Sequence, residues 1–208
     1  MTHPQRLDRD SDIHRALDRR AILRTGLLGV GALVTGCARP AFAQIAPLGA
    51  MCRATDENIE GPYYLPGAPV RSNLVTAGVV GTELTLEGRV MSARCAPIAH
   101  ALVEVWQADA QGEYDIRGPR LRGTLRTNDD GRYVLHTIVP GRYLNGDRYR
   151  PAHIHVKVHA PGRRELTTQL YFAGDPYNAG DPWFVPSLAL RPERAGRGLH
   201  AQRDLVLR

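Results

Sequence analysis

The sequence lacks the features that mark several common classes of protein. It has no apolar run long enough to span a bilayer, no sustained helical period and no basic run interleaved with aromatic residues. These absences argue against a membrane-helix bundle, a mainly helical fold and nucleic-acid binding, although the net charge is +6. Hydrophobic residues still make up 43% of the 208 residues, which suits one globular domain with a substantial core.

Motifs of common metal sites are missing, and cysteine is scarce. Neither H-E-x-x-H nor C-x-x-C, which build many zinc sites, is present. The three cysteines are Cys37, Cys52 and Cys95. If Cys37 leaves with an export signal, Cys52 and Cys95 remain, and an oxidising compartment would favour a disulfide between them. Two unpaired thiols are the alternative.

The N-terminal region has the pattern of an export signal. Arg19-Arg20 is a twin-arginine pair, residues 25–36 are apolar and glycine-rich, and Ala41-Phe42-Ala43 is a small-residue cleavage site. Residues 1–43 are therefore predicted to be a twin-arginine signal that gives a periplasmic or extracellular protein without a stable transmembrane anchor. The alternative is a lipoprotein, because Val34-Thr35-Gly36-Cys37 resembles a lipobox.

Beyond residue 43 the sequence predicts an all-β protein. Residues 44–83 are predicted to be an extended N-terminal arm, since the glycines and prolines of residues 60–67 exclude a helix. Residues 84–208 are predicted to form a Greek-key β-sandwich with long loops and little helix. Residues 175–198, which contain several Pro and Gly, are predicted to be a long surface excursion. The predicted strands are 84–91, 101–107, 121–127, 133–138, 153–159, 166–172 and 204–207.

Two histidines lie one residue apart inside one predicted strand. Side chains alternate between the faces of a strand, so His153 and His155 share one face while Ile154 and Val156 point to the other, towards the core. The strand rise separates the two histidine Cα atoms by about 6.5–7 Å. In a twisted strand both imidazoles can then reach one metal ion, which makes this face a candidate metal site.

Two tyrosines beside predicted turns, Tyr114 and Tyr143, extend this hypothesis. Each alone would be an ordinary half-buried aromatic residue. A phenolate, however, is a hard oxygen donor that suits Fe(III), whereas imidazole accepts many metals. Two phenolates with two imidazoles therefore indicate ferric iron, in preference to a zinc or copper hydrolase or oxidase that uses the same histidines.

Seven sequence blocks carry a resemblance to a known family. They are Glu60–Tyr64, Gly88–Val90, Ala101–Tyr114, Thr127–Tyr133, Pro140–Tyr143, Arg150–His155 and Thr168–Phe172. In these blocks and in their order, the sequence resembles the intradiol ring-cleavage dioxygenases, the non-haem ferric enzymes typified by catechol and protocatechuate dioxygenases. The long loops of the sandwich are then expected to surround a metal site.

The resemblance implies a role for each candidate residue. Tyr114, Tyr143, His153 and His155 would bind Fe(III), with a solvent hydroxide as fifth ligand. Tyr143 would also be catalytic, since it would leave the iron when a catechol binds and help to take up a proton.

Two further residues receive roles by the same resemblance. Arg150 would be catalytic by stabilising negative charge that develops on the substrate, with a surface ion pair as the alternative. Gln169 would support the site from behind the metal ligands, and an ordinary strand glutamine is an equally good account.

The resemblance also implies a reaction. Both atoms of O2 would enter a catechol-type ring, which would open between its two hydroxylated carbons to give a cis,cis-muconate type of diacid. The partners would be a small aromatic diol and O2. A metal-free binding module of the transthyretin-like or peptidase-regulatory type is the alternative, because the rhythm of strands and turns also resembles those sandwiches.

Two departures from the family's pattern leave the oligomeric state and the substrate open. No helical region of the kind used for dimerisation by the catechol-specific members follows the signal, so a monomer and a homodimer both remain open. The loop of residues 144–149 is short and lacks the tryptophan of the protocatechuate enzymes, which puts protocatechuate itself in doubt.

Overall fold

The structure is a computed structural model that describes residues 51–208. The predicted export signal, its cleavage site after Ala43 and the alternative lipidation site at Cys37 lie outside the described residues. Within residues 51–208, no helix combines the length and the apolar character that crossing a bilayer requires.

The described chain contains twelve strands and two 3₁₀ turns, Asn178–Gly180 and Pro186–Leu188. The strands are β1 Glu83–Ser92, β2 Leu102–Gln107, β3 Arg122–Arg126, β4 Arg132–Ile138, β5 Tyr143–Asn145, β6 Arg148–Arg150, β7 His153–His159, β8 Leu166–Phe172, β9 Ala189–Leu190, β10 Glu193–Ala195, β11 Gly198–Gln202 and β12 Leu205–Leu207. This content confirms the predicted all-β class with little helix.

The strands form two five-stranded sheets and one small hairpin. The first sheet has the order β10-β11-β1-β12, and β4 also pairs with β1. The second sheet has the order β3-β2-β7-β8-β9, and β5 pairs with β6 alone. β7, which carries the histidine pair, is therefore the central strand of its sheet.

Alternation along β7 divides its side chains between the core and the candidate site. Ile154, Val156 and Val158 are almost completely buried in the hydrophobic core. The opposite face of β7 carries His153 and His155, which are also buried. Both faces of this strand are therefore covered, and its continuous burial differs from the one-sided pattern of an exposed sheet.

The predicted strands match the observed ones to within one or two residues, but one loop prediction is wrong. Residues 175–198 are not a surface excursion throughout, because Asp181, Leu188 and Leu190 are buried and β9 joins the second sheet. Pro and Gly mark where a chain turns, but they do not tell whether the turn lies over solvent or over another element. Here the segment folds back over the candidate site.

A disulfide joins Cys52 and Cys95, with 5.2 Å between their Cα atoms. Next to it, the backbone N–H of Cys52 donates to the carbonyl of Ala93, 2.9 Å away. The disulfide thus attaches the beginning of the described chain to the turn that follows β1.

Candidate metal centre

The two histidines of β7 are packed between aromatic side chains of the neighbouring strands. In the sheet register Trp106 of β2 is the partner of His155, and Tyr171 of β8 is the partner of His153. The Trp106 and His155 rings stack with 4.8 Å between centroids and 10° between planes. This packing fixes the direction of the imidazole before any ligand binds.

A hydrogen bond assigns the tautomer of His153. Its Nδ1 lies 2.7 Å from the carbonyl oxygen of Pro151, and a carbonyl can only accept, so Nδ1 carries the proton. The lone pair of His153 is therefore on Nε2, the nitrogen that faces Tyr114. This arrangement is the one that metal-binding histidines commonly use.

Both imidazoles are held in their neutral form. Burial, assisted by the Arg150 charge, lowers the pKa of His153 to about 3. Burial and the neighbouring His153 lower the pKa of His155 well below its ordinary value. Nδ1 of His155 has no hydrogen-bond partner among residues 51–208, so no acceptor at this atom stabilises an imidazolium. Neutral imidazole is the form that binds metal ions.

Tyr114 reaches both histidines from a rigid turn that follows β2. Asp109 organises the turn, since its Oδ1 accepts the N–H groups of Gln111 and Glu113. The Tyr114 Oη lies 3.3 Å from Nε2 of His153 and 3.1 Å from Nε2 of His155. Three potential ligand atoms thus meet at one point.

Tyr143 closes the site from the β5–β6 hairpin. Its ring lies 5.5 Å from the Tyr114 ring and 5.7 Å from the His153 ring, measured between centroids. Arg150, its partner in the hairpin register, donates from Nη1 to Tyr143 Oη over 3.4 Å. The structure therefore brings together the four side chains that the sequence named as metal ligands.

The donor atoms fit one metal ion of the predicted kind. Two ligands that are each about 2.0–2.1 Å from the same ion lie roughly 3 Å apart, as Tyr114 Oη does from both histidine nitrogens. In residues 51–208, no group of three or more His, Cys, Asp or Glu side chains could hold a metal. A metal ion held by His153 and His155 would therefore need other donors, and the phenol oxygens beside them suit Fe(III).

Without a bound cation, the side chains of Tyr114 and Tyr143 are neutral phenols. Burial, with Tyr143 nearby, raises the pKa of Tyr114 well above its ordinary value, although Arg150 opposes this shift. Burial also raises the pKa of Tyr143, again against Arg150. A multivalent cation reverses such a preference because it favours the ionised oxygen. The pocket is thus unsuited to free phenolates and suited to phenolates bound to a metal.

Arg150 is a buried residue, so a surface ion pair is the wrong interpretation. It is 4% exposed, and its Nε donates to Asp181 Oδ2 over 3.1 Å. Its Nη2 donates to Gln169 Oε1 over 2.8 Å, and the guanidinium lies 4.6 Å from the centroid of the Trp183 ring. These contacts fix the fork of the guanidinium while Nη1 points to Tyr143.

Gln169 connects Arg150 to the N-terminal arm. Its Oε1 accepts from Arg150 and from the Tyr171 hydroxyl, which is 2.8 Å away. Its Nε2 donates to the carbonyl of Ile59 over 2.9 Å. Gln169 is completely buried, and both the oxygen and the nitrogen of its amide are hydrogen-bonded, which suits a supporting position behind the site.

Sequence reasoning missed several residues that complete the site. Tyr63 stacks on Tyr114 with 4.2 Å between centroids, and Asp181 balances the charge of Arg150. Trp106 gave a partial signal, because it is a large aromatic residue on the predicted strand 101–107, on the face opposite Val103 and Val105. Asp181 gave no such signal, because it lies in the segment that turn residues had placed on the surface.

Two glycines allow the turns that carry the tyrosines to cross. A Cβ on Gly112 would lie 2.2 Å from the Arg142 carbonyl oxygen, and one on Gly141 would lie 2.5 Å from that of Ala110. Gly141 N–H also donates to Asp109 O over 2.7 Å. The backbone of one tyrosine-bearing turn is thus in direct contact with the other.

Gly112→Ala is expected to separate these turns and to destabilise the fold by at least about 2 kcal/mol, since a positive-φ strain of about 1–2 kcal/mol adds to the backbone clash. Gly112 has a φ of +91°. Gly146→Ala is the matched control, because Gly146 also has a positive φ of +66° but has open space around its Cβ position. Urea unfolding measures the free energy of unfolding of both variants. Equal losses of stability would contradict the crossing of the two turns as the cause of the Gly112→Ala effect.

Comparisons with known proteins identify the family of this chain. Residues 59–194 match the model of the dioxygenase family. Catechol 1,2-dioxygenase 2 of Acinetobacter lwoffii is 40% identical over 160 residues, which cover 66% of this chain and 58% of that protein. The 6-chlorohydroxyquinol 1,2-dioxygenase of Cupriavidus pinatubonensis is 33% identical over 184 residues, which cover 78% and 63%.

Solved structures show the same fold. The dioxygenase domain of a dioxygenase carbohydrate-binding protein fusion from Streptomyces sp. SirexAA-E is 44% identical, with a TM-score of 0.69 over 74% of this chain and 98% of that one. The 3-chlorocatechol 1,2-dioxygenase of Rhodococcus opacus 1CP is 31% identical, with a TM-score of 0.70 over 74% and 71%. This chain spans less than two thirds of the length of the curated relatives described above. The matched region is nevertheless most of residues 51–208, and the chain belongs to the dioxygenase family.

Proposed function

We propose that this protein is an Fe(III)-dependent intradiol dioxygenase that inserts both atoms of O2 into a catechol-type ring. The observation that carries the proposal is the convergence of Tyr114, Tyr143, His153 and His155 beside a buried arginine. The names of the relatives, which are catechol, chlorocatechol and hydroxyquinol 1,2-dioxygenases, support the same substrate class. The product would be a cis,cis-muconate type of diacid.

Four side chains would hold the iron, and the remaining residues would prepare the substrate. Iron bound there would hold both oxygens of a catechol and make its ring reactive towards O2. Trp106, Tyr63 and Tyr171 surround these ligands with aromatic rings. Such walls exclude water, which strengthens each electrostatic interaction inside the site.

Tyr143 would act as the proton acceptor. Because burial raises the pKa of its phenol, a Tyr143 phenolate would readily take a proton from a substrate hydroxyl. Arg150, 3.4 Å from Tyr143 Oη, keeps this oxygen in place while the proton moves. A general base needs such a proton affinity.

Arg150 would stabilise negative charge on the substrate. Asp181, Gln169 and the Trp183 ring hold its guanidinium, so no reorganisation is needed when charge develops. A preorganised donor of this kind contributes about 10²–10³-fold to a rate. The metal-free binding module, the alternative function, gives no reason for such a charge to be buried beside two phenols and two imidazoles.

The visible absorption spectrum of the Fe(III)-loaded protein tests this proposal. Phenolate-to-Fe(III) charge transfer should give a broad visible band, and anaerobic catechol should shift it. Addition of ¹⁸O₂ should then give a ring-opened diacid that contains both labelled atoms. A protein that stays colourless after ferric reconstitution would exclude the dioxygenase and favour the binding module.

We further propose that the protein is exported by the twin-arginine route. The arginine pair at residues 19–20 and the cleavage site at residues 41–43 support this proposal, and so does the disulfide of Cys52 with Cys95. Cell fractionation with N-terminal sequencing distinguishes its two forms. Residue 44 as the first residue would indicate cleavage, and a lipid on Cys37 would indicate a lipoprotein. A protein that stays in the cytoplasm with residues 1–43 intact would refute export.

A further inference from the structure

A short segment of the N-terminal arm, residues 58–64, crosses the metal-bearing face of the second sheet; we call it the strap. At one end Asn58 N–H donates to the Thr167 carbonyl over 2.9 Å. At the other end Tyr64 Oη donates to Glu104 Oε2 over 3.1 Å. The strap has no regular secondary structure, so individual backbone hydrogen bonds and side-chain contacts decide where it lies.

The middle of the strap touches the proposed metal ligands. A Cβ on Gly61 would lie 3.2 Å from Cε1 of His155, so the strap backbone lies directly against that ring. Tyr63 stacks on Tyr114 with 14° between the ring planes, and it meets Tyr143 edge to face at 5.9 Å between centroids. A displacement of the strap would therefore change the surroundings of three proposed ligands.

Lys157 holds the strap between these contacts. It lies on β7 on the same face as His153 and His155, and it is only 7% exposed. Its Nζ forms an ion pair with Glu60 and lies 4.0 Å from the centroid of the Tyr64 ring. It is therefore bound to the strap on both sides of Gly61 and Tyr63.

The choice of residue at this position is informative. Lys157 is the only lysine in the sequence, and the other 26 of the 27 Lys and Arg residues are arginines. An ammonium is a compact charge with three donors, whereas a guanidinium is a wide planar fork. A compact charge suits a position between the carboxylates of Glu60 and Glu165 and above the ring of Tyr64.

We propose that Lys157 is a positioning residue, which acts through Glu60 and Tyr64 to hold Tyr63 against the tyrosines of the metal centre. The inference rests on the proposed function, and it adds that one wall of the substrate site is a strap fixed by an ion pair. Lys157 and Glu60 do not touch the reacting atoms. Their loss should therefore affect substrate binding more than metal binding.

Glu60→Gln and Glu165→Gln form a matched pair of variants. Both carboxylates accompany Lys157, and their side chains are 42% and 44% exposed, but only Glu60 lies on the strap. Glu60→Gln should raise hydrogen–deuterium exchange in residues 58–64 by about tenfold, because the strap opens locally more often. Glu165→Gln should leave this exchange unchanged.

The iron-loaded variants give the second comparison. Glu60→Gln should keep the iron, shift the charge-transfer band and raise KM for catechol by about tenfold or more, with a smaller change in kcat. Glu165→Gln should match the wild type in iron content, in the position of the charge-transfer band and in KM for catechol. Equal behaviour of the two variants in exchange and in KM would overturn the inference, because Lys157 would then be only a neutralised buried charge. If even the wild type is colourless, the proposed function fails, while the exchange data still decide the role of Lys157.

Discussion

His155→Phe should abolish binding of Fe(III) while the protein remains folded. Phenylalanine keeps a planar ring against Trp106, whose ring now stacks on His155 at 4.8 Å, but it removes the Nε2 that faces Tyr114. Loss of a residue that only supports a metal ligand lowers affinity by about 10–100-fold, and loss of a ligand itself should cost more. Iron analysis after gel filtration measures the result, and the charge-transfer band should vanish with the metal.

His136→Phe is the matched control for this experiment. His136 is an exposed residue of β4 whose Nδ1 lies 3.2 Å from Thr85 Oγ1. The substitution His136→Phe therefore makes the same chemical change away from the site. Its iron content and its visible spectrum should equal those of the wild type. A His155→Phe protein that keeps its iron would show that the ligand set is wrong.

Arg150→Met should reduce both stability and activity. Removal of the guanidinium leaves Asp181 buried without its cation, a change that typically costs about 3–5 kcal/mol in the free energy of unfolding. It also removes the charge that opposes the raised pKa of Tyr143, so a Tyr143 phenolate becomes harder to form. With iron bound, kcat/KM should fall by about 10²–10³-fold.

The double variant Arg150→Met with Asp181→Asn separates these two effects. Because it removes both charges of the pair, stability should recover in part, whereas activity should not. Urea unfolding gives the free energies, and steady-state kinetics with catechol give the rates. Recovery of activity together with stability would mean that Arg150 only maintains the fold.

The sequence was sufficient to predict the strand that carries both histidines. Alternation placed His153 and His155 on one face of β7, because a period of two is a strong local signal when the other face is apolar. Tyr114 and Tyr143 were identified by chemical type and by resemblance, and the structure shows Tyr114 beside both imidazoles and Tyr143 beside that of His153.

The contacts that hold the site could not be predicted, because they join segments far apart in the sequence. Asp181 lies 31 residues from Arg150, and Glu60 lies 97 residues from Lys157. No local period reports such pairs. The short hairpin of β5 and β6 was missed for another reason, since three-residue strands are too short to show alternation.

The position of β1 has a consequence for the order in which the chain folds. β1 pairs in parallel with β11 over residues 84–87 and with β12 over residues 90–92, so its sheet needs residues 198–207 before it is complete. β7, which carries both histidines, ends at residue 159 and is therefore synthesised before residues 198–207. Pairings so distant in sequence give a high contact order and slow folding. The two sheets share one hydrophobic core, so a stable metal site is expected to form only when the slow pairing of β1 with β11 and β12 is complete.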